Sequence, residues 1–186
     1  MNADYFQIHI NVRIKNRWVL GDHESSDPED RRRIYEGEPV RGRITIDPSD
    51  YGMALGFSLT AFGLAVAKDE VAEKIKAVAD GDVQIVPAHI EGHSGFSIVH
   101  CLRTIECVDE SRSVFDKYPD DDPYPDRRGG YRGFAKLIVD TNRIPADAHF
   151  FHAAGWQIKL IVSKPVRDIV KKVENASVNC ESVTKG

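Results

Sequence analysis

Residues 105–115 read IECVDESRSVF and bring Cys107, Asp109 and Ser111 within five positions, just after an apolar run. Those residue types could in principle form a nucleophile with a carboxylate helper. A nucleophilic cysteine needs a base within hydrogen-bond reach and a thiol pKa lowered by a helix N-terminus or a neighbouring cation. Cys107 instead follows a strand-like pattern with apolar neighbours, an environment that raises a thiol pKa. In an extended strand Asp109 shares its face but lies about 6–7 Å further along, beyond direct contact. The expectation is therefore structural: Asp109 and Ser111 hydrogen-bond nearby backbone groups where the strand ends and the chain turns.

The histidines are the next candidates. His89, His93 and His100 are close in sequence, and His149 and His152 flank two phenylalanines. A zinc site needs three or four convergent ligands. No HExxH and no paired CxxC is present, and residues three apart on a strand point to opposite faces. The glycine stretches GGYRG (129–133) and GMALGFSLTAFG (52–63) lack the lysine and the spacing of phosphate-binding loops. No catalytic residue, metal or cofactor is expected. The basic runs at 31–33 and 127–132 each adjoin carboxylates, so local charge cancellation is the default and no direct nucleic-acid contact is expected.

These residues must be held by an α+β body. YFQIHINVRI (5–14) alternates with period two and predicts a strand, with WVL (18–20) as a returning partner. Residues 21–33 are polar and read as a surface loop; VRGRITI (40–46) reads as a strand. Residues 68–82 place Val71, Ile75, Val78 and Ala79 at helical spacing, with Gly81 positioned for a left-handed helix end. VQIVPAHI (83–90) and the long run 95–109 read as strands, and FAKLIVD (134–140) as a short central one. The stretch 66–85 also lies over 161–180 at a constant offset, Val66 on Ile161, Val71 on Val166, Ile75 on Val170 and Val83 on Val178. Each copy reads strand, amphipathic helix, strand, and Pro165 falls in the first helical turn, where proline is tolerated. The fold class expected is a mixed, mainly antiparallel sheet with two amphipathic helices in strand–helix–strand units and long polar loops.

Between these pieces lies a charged insertion, 109–133, with three prolines and three glycines. Its first part is acidic and its last part basic. Insertions of this length inside a compact domain are usually functional or disordered.

The chain of 186 residues is long enough for one domain with its own core. Its net charge of −4 does not suit a general nucleic-acid binder. The N-terminus lacks the continuous apolar core of a secretion signal, and the longest apolar stretch, near 55–67, is too short for a bilayer. Three cysteines, an odd number, fit buried thiols in a reducing cytosol. No membrane contact is expected, and there are no heptads to drive self-association.

The order of elements VQIVPAHI, FSIVHCLRTIECVDESRSVF, FAKLIVDTNRIPADAHFFHAAG and KLIVSKPVRDIVKKVENASVNCESV resembles the myxobacterial-type immunity proteins of bacterial polymorphic toxin systems, immunity family eleven. The resemblance covers roughly Leu64 to Val183; residues 1–50 form an N-terminal β part that matches only loosely. It implies one immunity-type domain over residues 1–186, cytoplasmic, non-enzymatic, made alongside a protein toxin, such as a nuclease, that it neutralises by occlusion. On that reading Asp109 and Ser111 are a structural signature. The insertion then supplies the contact: Asp120, Asp121, Asp122 and Asp126 face a basic toxin surface, with Tyr118 and Tyr124 as anchors. The alternative is a small-molecule-binding protein or enzyme that uses His100, Cys107, Asp109 or the His149/His152 pair, and it requires several of these side chains to converge on one cavity.

Overall fold

A computed structural model describes residues 4–184, apart from the side chain of Asp126. The elements in chain order are β1 (Tyr5–Ile10), β2 (Val19–Ser25), α1 (Asp30–Glu36), β3 (Ile44–Asp50), β4 (Phe57–Leu59), β5 (Ala65–Lys68) and α2 (Asp69–Val78). Next come β6 (Val83–Ile90), β7 (Phe96–Cys101), β8 (Thr104–Ile105), β9 (Val114–Lys117) and β10 (Tyr131–Lys136). The chain closes with β11 (Phe150–Ala153), β12 (Trp156–Ser163), α3 (Lys164–Lys171) and β13 (Val178–Ser182). The architecture is α+β with mainly antiparallel sheets, as the sequence pattern predicts. One sheet runs β2-β3-β6-β7-β5-β4, a second β13-β1-β12-β11-β8, and β9 and β10 form a separate hairpin.

The internal repeat extends to residue-by-residue strand register. In the first unit β5 and β6 flank β7, with Ala67 and Pro87 both opposite Ser97. In the second, β12 and β13 flank β1, with Val162 and Ser182 both opposite Phe6. Val162 and Ser182 are the residues that match Ala67 and Pro87 at the sequence offset. Each helix leaves its strand without a break and carries an apolar stripe inward: Val71, Ala72 and Ile75 on α2, Val166 and Val170 on α3. The two helices pack on each other. With Phe6 and Ile8, Phe57, Val99, Phe150 and Val162 they build a core shared by both sheets. A second core covers the other face of the five-stranded sheet around Tyr5, Phe151 and Ile161. A third covers the other face of the six-stranded sheet around Trp18, Ile44 and Ile98.

Links between the two sheets include the following. The chain crosses from β7 to β8 through Leu102 and Arg103, and Arg103 O accepts from His152 N of β11. Phe57 of β4 bridges Ala176, and its carbonyl accepts from Ser177 N at 2.9 Å. Buried Asp82, just before β6, accepts at Oδ2 from the backbone N–H groups of His149 and Phe150 and at Oδ1 from Arg103 at 2.6 Å.

Several sequence expectations are corrected. The first strand stops at Ile10 rather than Ile14; Asn16 takes a left-handed φ of 54°, and Val12 is 77% exposed. WVL does not return onto β1, because Val19 and Leu20 begin β2, which pairs with β3 in the other sheet. Of residues 21–33 only 26–29 form a turn; 21–25 are the rest of β2 and 30–33 the start of α1. The 40–46 strand runs later, over β3 at Ile44–Asp50. Gly81 is not left-handed; α2 ends at Ala79, whose N–H bonds the carbonyls of Ile75 and Lys76. The run 95–109 is not one strand, since the crossing between sheets interrupts it. FAKLIVD is not a central strand: Phe134–Lys136 belong to the two-stranded hairpin, and 137–139 are buried extended chain with one bridge, Val108 to Val139. Within the N-terminal β part, β1 pairs with both β12 and β13, at the centre of the second repeat.

Candidate functional site

The opening cluster is held for structure. Asp109 Oδ1 accepts from Ser111 N, Ser111 Oγ and Arg112 N, while Oδ2 accepts from Arg112 Nε at 2.6 Å. The bonds from Ser111 and then Arg112 hold its carboxyl down to about 2. Protonation must break these bonds, so what the cluster adds to stability is present above the ordinary carboxylate range and is lost as the pH falls toward 2. Ser113 Oγ completes the turn by exchanging hydrogen bonds with the backbone of Ile138. Cys107 is fully buried, and burial pushes its thiol up to about 12. Cys101 is likewise pushed up to about 12 by burial, with Sγ donating toward the carbonyls of Arg103 and Phe150. Neither thiol has the environment of a nucleophile. With a thiol reagent at pH 8, only half-buried Cys180 is expected to react on the folded protein, and all three cysteines after unfolding. Mass spectrometry of the labelled protein checks this; fast labelling of Cys107 in the native state would contradict it.

The histidines divide. His149 Nδ1 lies 2.9 Å from Ser163 Oγ, and His89 Nδ1 lies 3.0 Å from Arg43. His93 packs edge-on to Trp18, ring centroids 5.2 Å apart. His100 and His152 instead line one cleft together with His23, which the sequence did not single out. The cleft, about 670 Å³, opens where α1, the β4–β5 turn, the β11–β12 turn and the β9–β10 hairpin meet. Backbone carbonyls orient two of its rings. His100 Nε2 faces Glu38 O at 2.9 Å, and His152 Nδ1 faces Lys159 O at 3.0 Å. A carbonyl only accepts, so those nitrogens carry the protons and the other nitrogen of each neutral ring holds a lone pair. Burial lowers the pKa of all three rings; the Glu38 and Lys159 carbonyls and the Asp22 carboxylate oppose it only in part. Among the described residues no group of three or more His, Cys, Asp or Glu side chains could hold a metal ion. Cys107, Asp109 and His149 lie outside this cleft.

The 109–133 insertion is ordered as a hairpin. β9 and β10 pair antiparallel, and Phe115, Tyr131 and Phe134 stack between them, with centroids 4.7–5.7 Å apart. Lys117 Nζ pairs with Glu110 at 2.6 Å, and Tyr131 Oη donates to the same carboxylate. At the tip, Asp120 and Asp121 are exposed, while Asp122 closes a turn by accepting from Tyr124 N at 2.9 Å. Arg127 stacks over Tyr124 at 4.5 Å and lies 5.8 Å from the Tyr118 ring. The side chain of Asp126 falls outside the described residues. Tyr118, Arg127 and Tyr131 also line the cleft, so hairpin and cleft form one continuous surface. Around it Tyr35, Phe62, Tyr124 and Ile158 are 60–68% exposed. Composition marked 109–133 as a charged insertion but not as a hairpin, and it gave no sign of the Tyr35, Phe62 and Ile158 rim, which comes from helix α1, the β4–β5 turn and strand β12.

In comparison with known proteins, no protein-family model and no curated protein matches this chain. Among the described residues no helix is long and apolar enough to cross a membrane.

Proposed function

We propose that this chain is a non-catalytic immunity protein that acts in the cytoplasm, binding a cognate protein toxin and covering its active site. The observation that carries this reading is the surface formed by the hairpin and the cleft rim. Large apolar side chains exposed together mark interaction surfaces far better than scattered ones. Here exposed Tyr35, Phe62 and Ile158 line the cleft, and exposed Tyr124 lies on the adjoining hairpin beside its acidic tip. The aromatics supply anchors, and Asp120, Asp121 and Asp122 steer the approach of a basic groove such as that of a nuclease. The disarmed thiols and the structural role of Asp109 support a protein that works by contact. The test is protection in cells. Co-expression with the toxin domain encoded by the adjacent gene is expected to restore growth. The double variant Phe62→Ala/Tyr124→Ala is expected to lose protection while remaining folded, since both side chains are exposed. Full protection by that variant would remove this face from the account.

A second reading, small-molecule binding, is favoured by one observation: His100 and His152 do converge on a cleft.

A further inference from the structure

We infer that the cleft between α1 and the β11–β12 turn is a binding site for a small aromatic carboxylate; this rests on the second reading above. Three independent features point to that class. The first is unmatched hydrogen-bonding capacity. Trp156 Nε1 and His23 Nε2 are buried without a hydrogen-bond partner, His23 Nδ1 has only the Asp22 carboxylate at 3.3 Å, and both residues line the cleft. Trp156 is 8% exposed, as is the His23 side chain. An indole can only donate, so Trp156 Nε1 is a buried donor without an acceptor, and His23 adds a buried ring nitrogen, Nε2, with no partner. Buried polar groups are almost always paired, and an exception needs a cause. A carboxylate supplies acceptor oxygens for such donors.

The second feature is charge. The protein carries net −4, yet the cleft is lined by Arg31, Arg127 and Lys159 against Asp22 alone. Arg31 is satisfied by Asp22 at 2.9 Å. Arg127 is held on tyrosine rings, and among the described residues neither it nor Lys159 pairs with a carboxylate. That leaves a surplus of positive charge on the lining of the same cleft. The third feature is the wall. Tyr35, Phe62, Phe150 and Trp156 contribute rings, and about 670 Å³ lies in the range of small-ligand sites. A flat apolar ring fits such walls, and its carboxylate fits the cationic, donor-rich side.

The probe is 2-naphthoate, compared with its neutral counterpart 2-naphthalenemethanol. The protein has two tryptophans, and Trp18 lies in a separate core against Phe96. Its indole N–H is therefore an internal control in proton–nitrogen NMR spectra. Naphthoate is expected to shift the Trp156 indole signal saturably, to leave Trp18 unmoved, and to bind about tenfold tighter than the alcohol. Lys159→Glu, a change in a half-exposed side chain, is expected to weaken the anion about tenfold and leave the alcohol unchanged. If the alcohol binds as tightly as the anion, the carboxylate assignment is wrong while small-molecule binding stands. If neither compound moves Trp156 at about 1 mM, both fall.

Discussion

Asp82→Ala is expected to destabilise the protein by about 3 kcal/mol or more. Asp82 is 1% exposed and holds the two sheets together. Its carboxylate accepts from Arg103 and from the backbone N–H groups of His149 and Phe150, at 2.6, 2.6 and 3.1 Å. Removal orphans two backbone donors, one of them buried, and leaves Arg103 with only the exposed Asp147 at 3.3 Å. Each lost partner of a buried donor costs about 1–3 kcal/mol. Asp82→Asn keeps an acceptor oxygen without the charge, so about half the loss is expected. Urea unfolding of the three proteins, with the slope unchanged, measures the effect. A loss under about 1 kcal/mol for the alanine variant would show that the Asp82 carboxylate contributes little to joining the sheets.

Phe57→Ala is expected to cost about 3–5 kcal/mol, and Phe57→Leu about 1–1.5 kcal/mol. Phe57 is fully buried in the core shared by both sheets and both helices. Its strand β4 is the edge of one sheet and touches the chain just before β13 of the other, through the Ala176 bridge and the Ser177 hydrogen bond. Truncation leaves a cavity where the two repeats meet, and the rigid strands on either side limit collapse. The same unfolding assay ranks the variants; near-equal midpoints would mean that this corner is loosely packed.

The parts of the fold that were legible in the sequence are those whose side chains obey one period and face one core. The strand–helix–strand repeat is the clearest: its valines and isoleucines align at a fixed offset, and the register of β5-β7-β6 against β12-β1-β13 follows from them. What was hidden lacks such a period. β2 is an edge strand whose second half, Asp22 to Ser25, is polar, so it reads as a loop. Helix α1 carries only Ile34 and Tyr35 as large apolar residues and is fixed instead by buried Asp30. Burial works against that carboxyl's charge, yet hydrogen bonds from Ser25, Arg33 and the backbone of Arg41 and Gly42 hold it well below the usual carboxylate range. The alternation of Val12 and Ile14 misled because the chain turns directly after Ile10, where Asn11 Oδ1 accepts from Arg13 N at 3.1 Å. Of the cleft, His100 and His152 stood out as residue types; their convergence with His23 and Trp156 depends on the crossing at Leu102–Arg103, which no local pattern announces.

The central claim, that this protein acts by contact through the hairpin and cleft rim, is tested most directly by calorimetric titration with the toxin domain that the proposed function expects an adjacent gene to encode. Wild-type protein and the variant with Asp120, Asp121 and Asp122 all changed to Ser are compared at low and high salt. The account predicts tight binding that weakens with salt for the wild type, and a loss of about tenfold or more for the variant at low salt that shrinks as salt screens the charges. Equal affinity of the two proteins at both salt concentrations would contradict it.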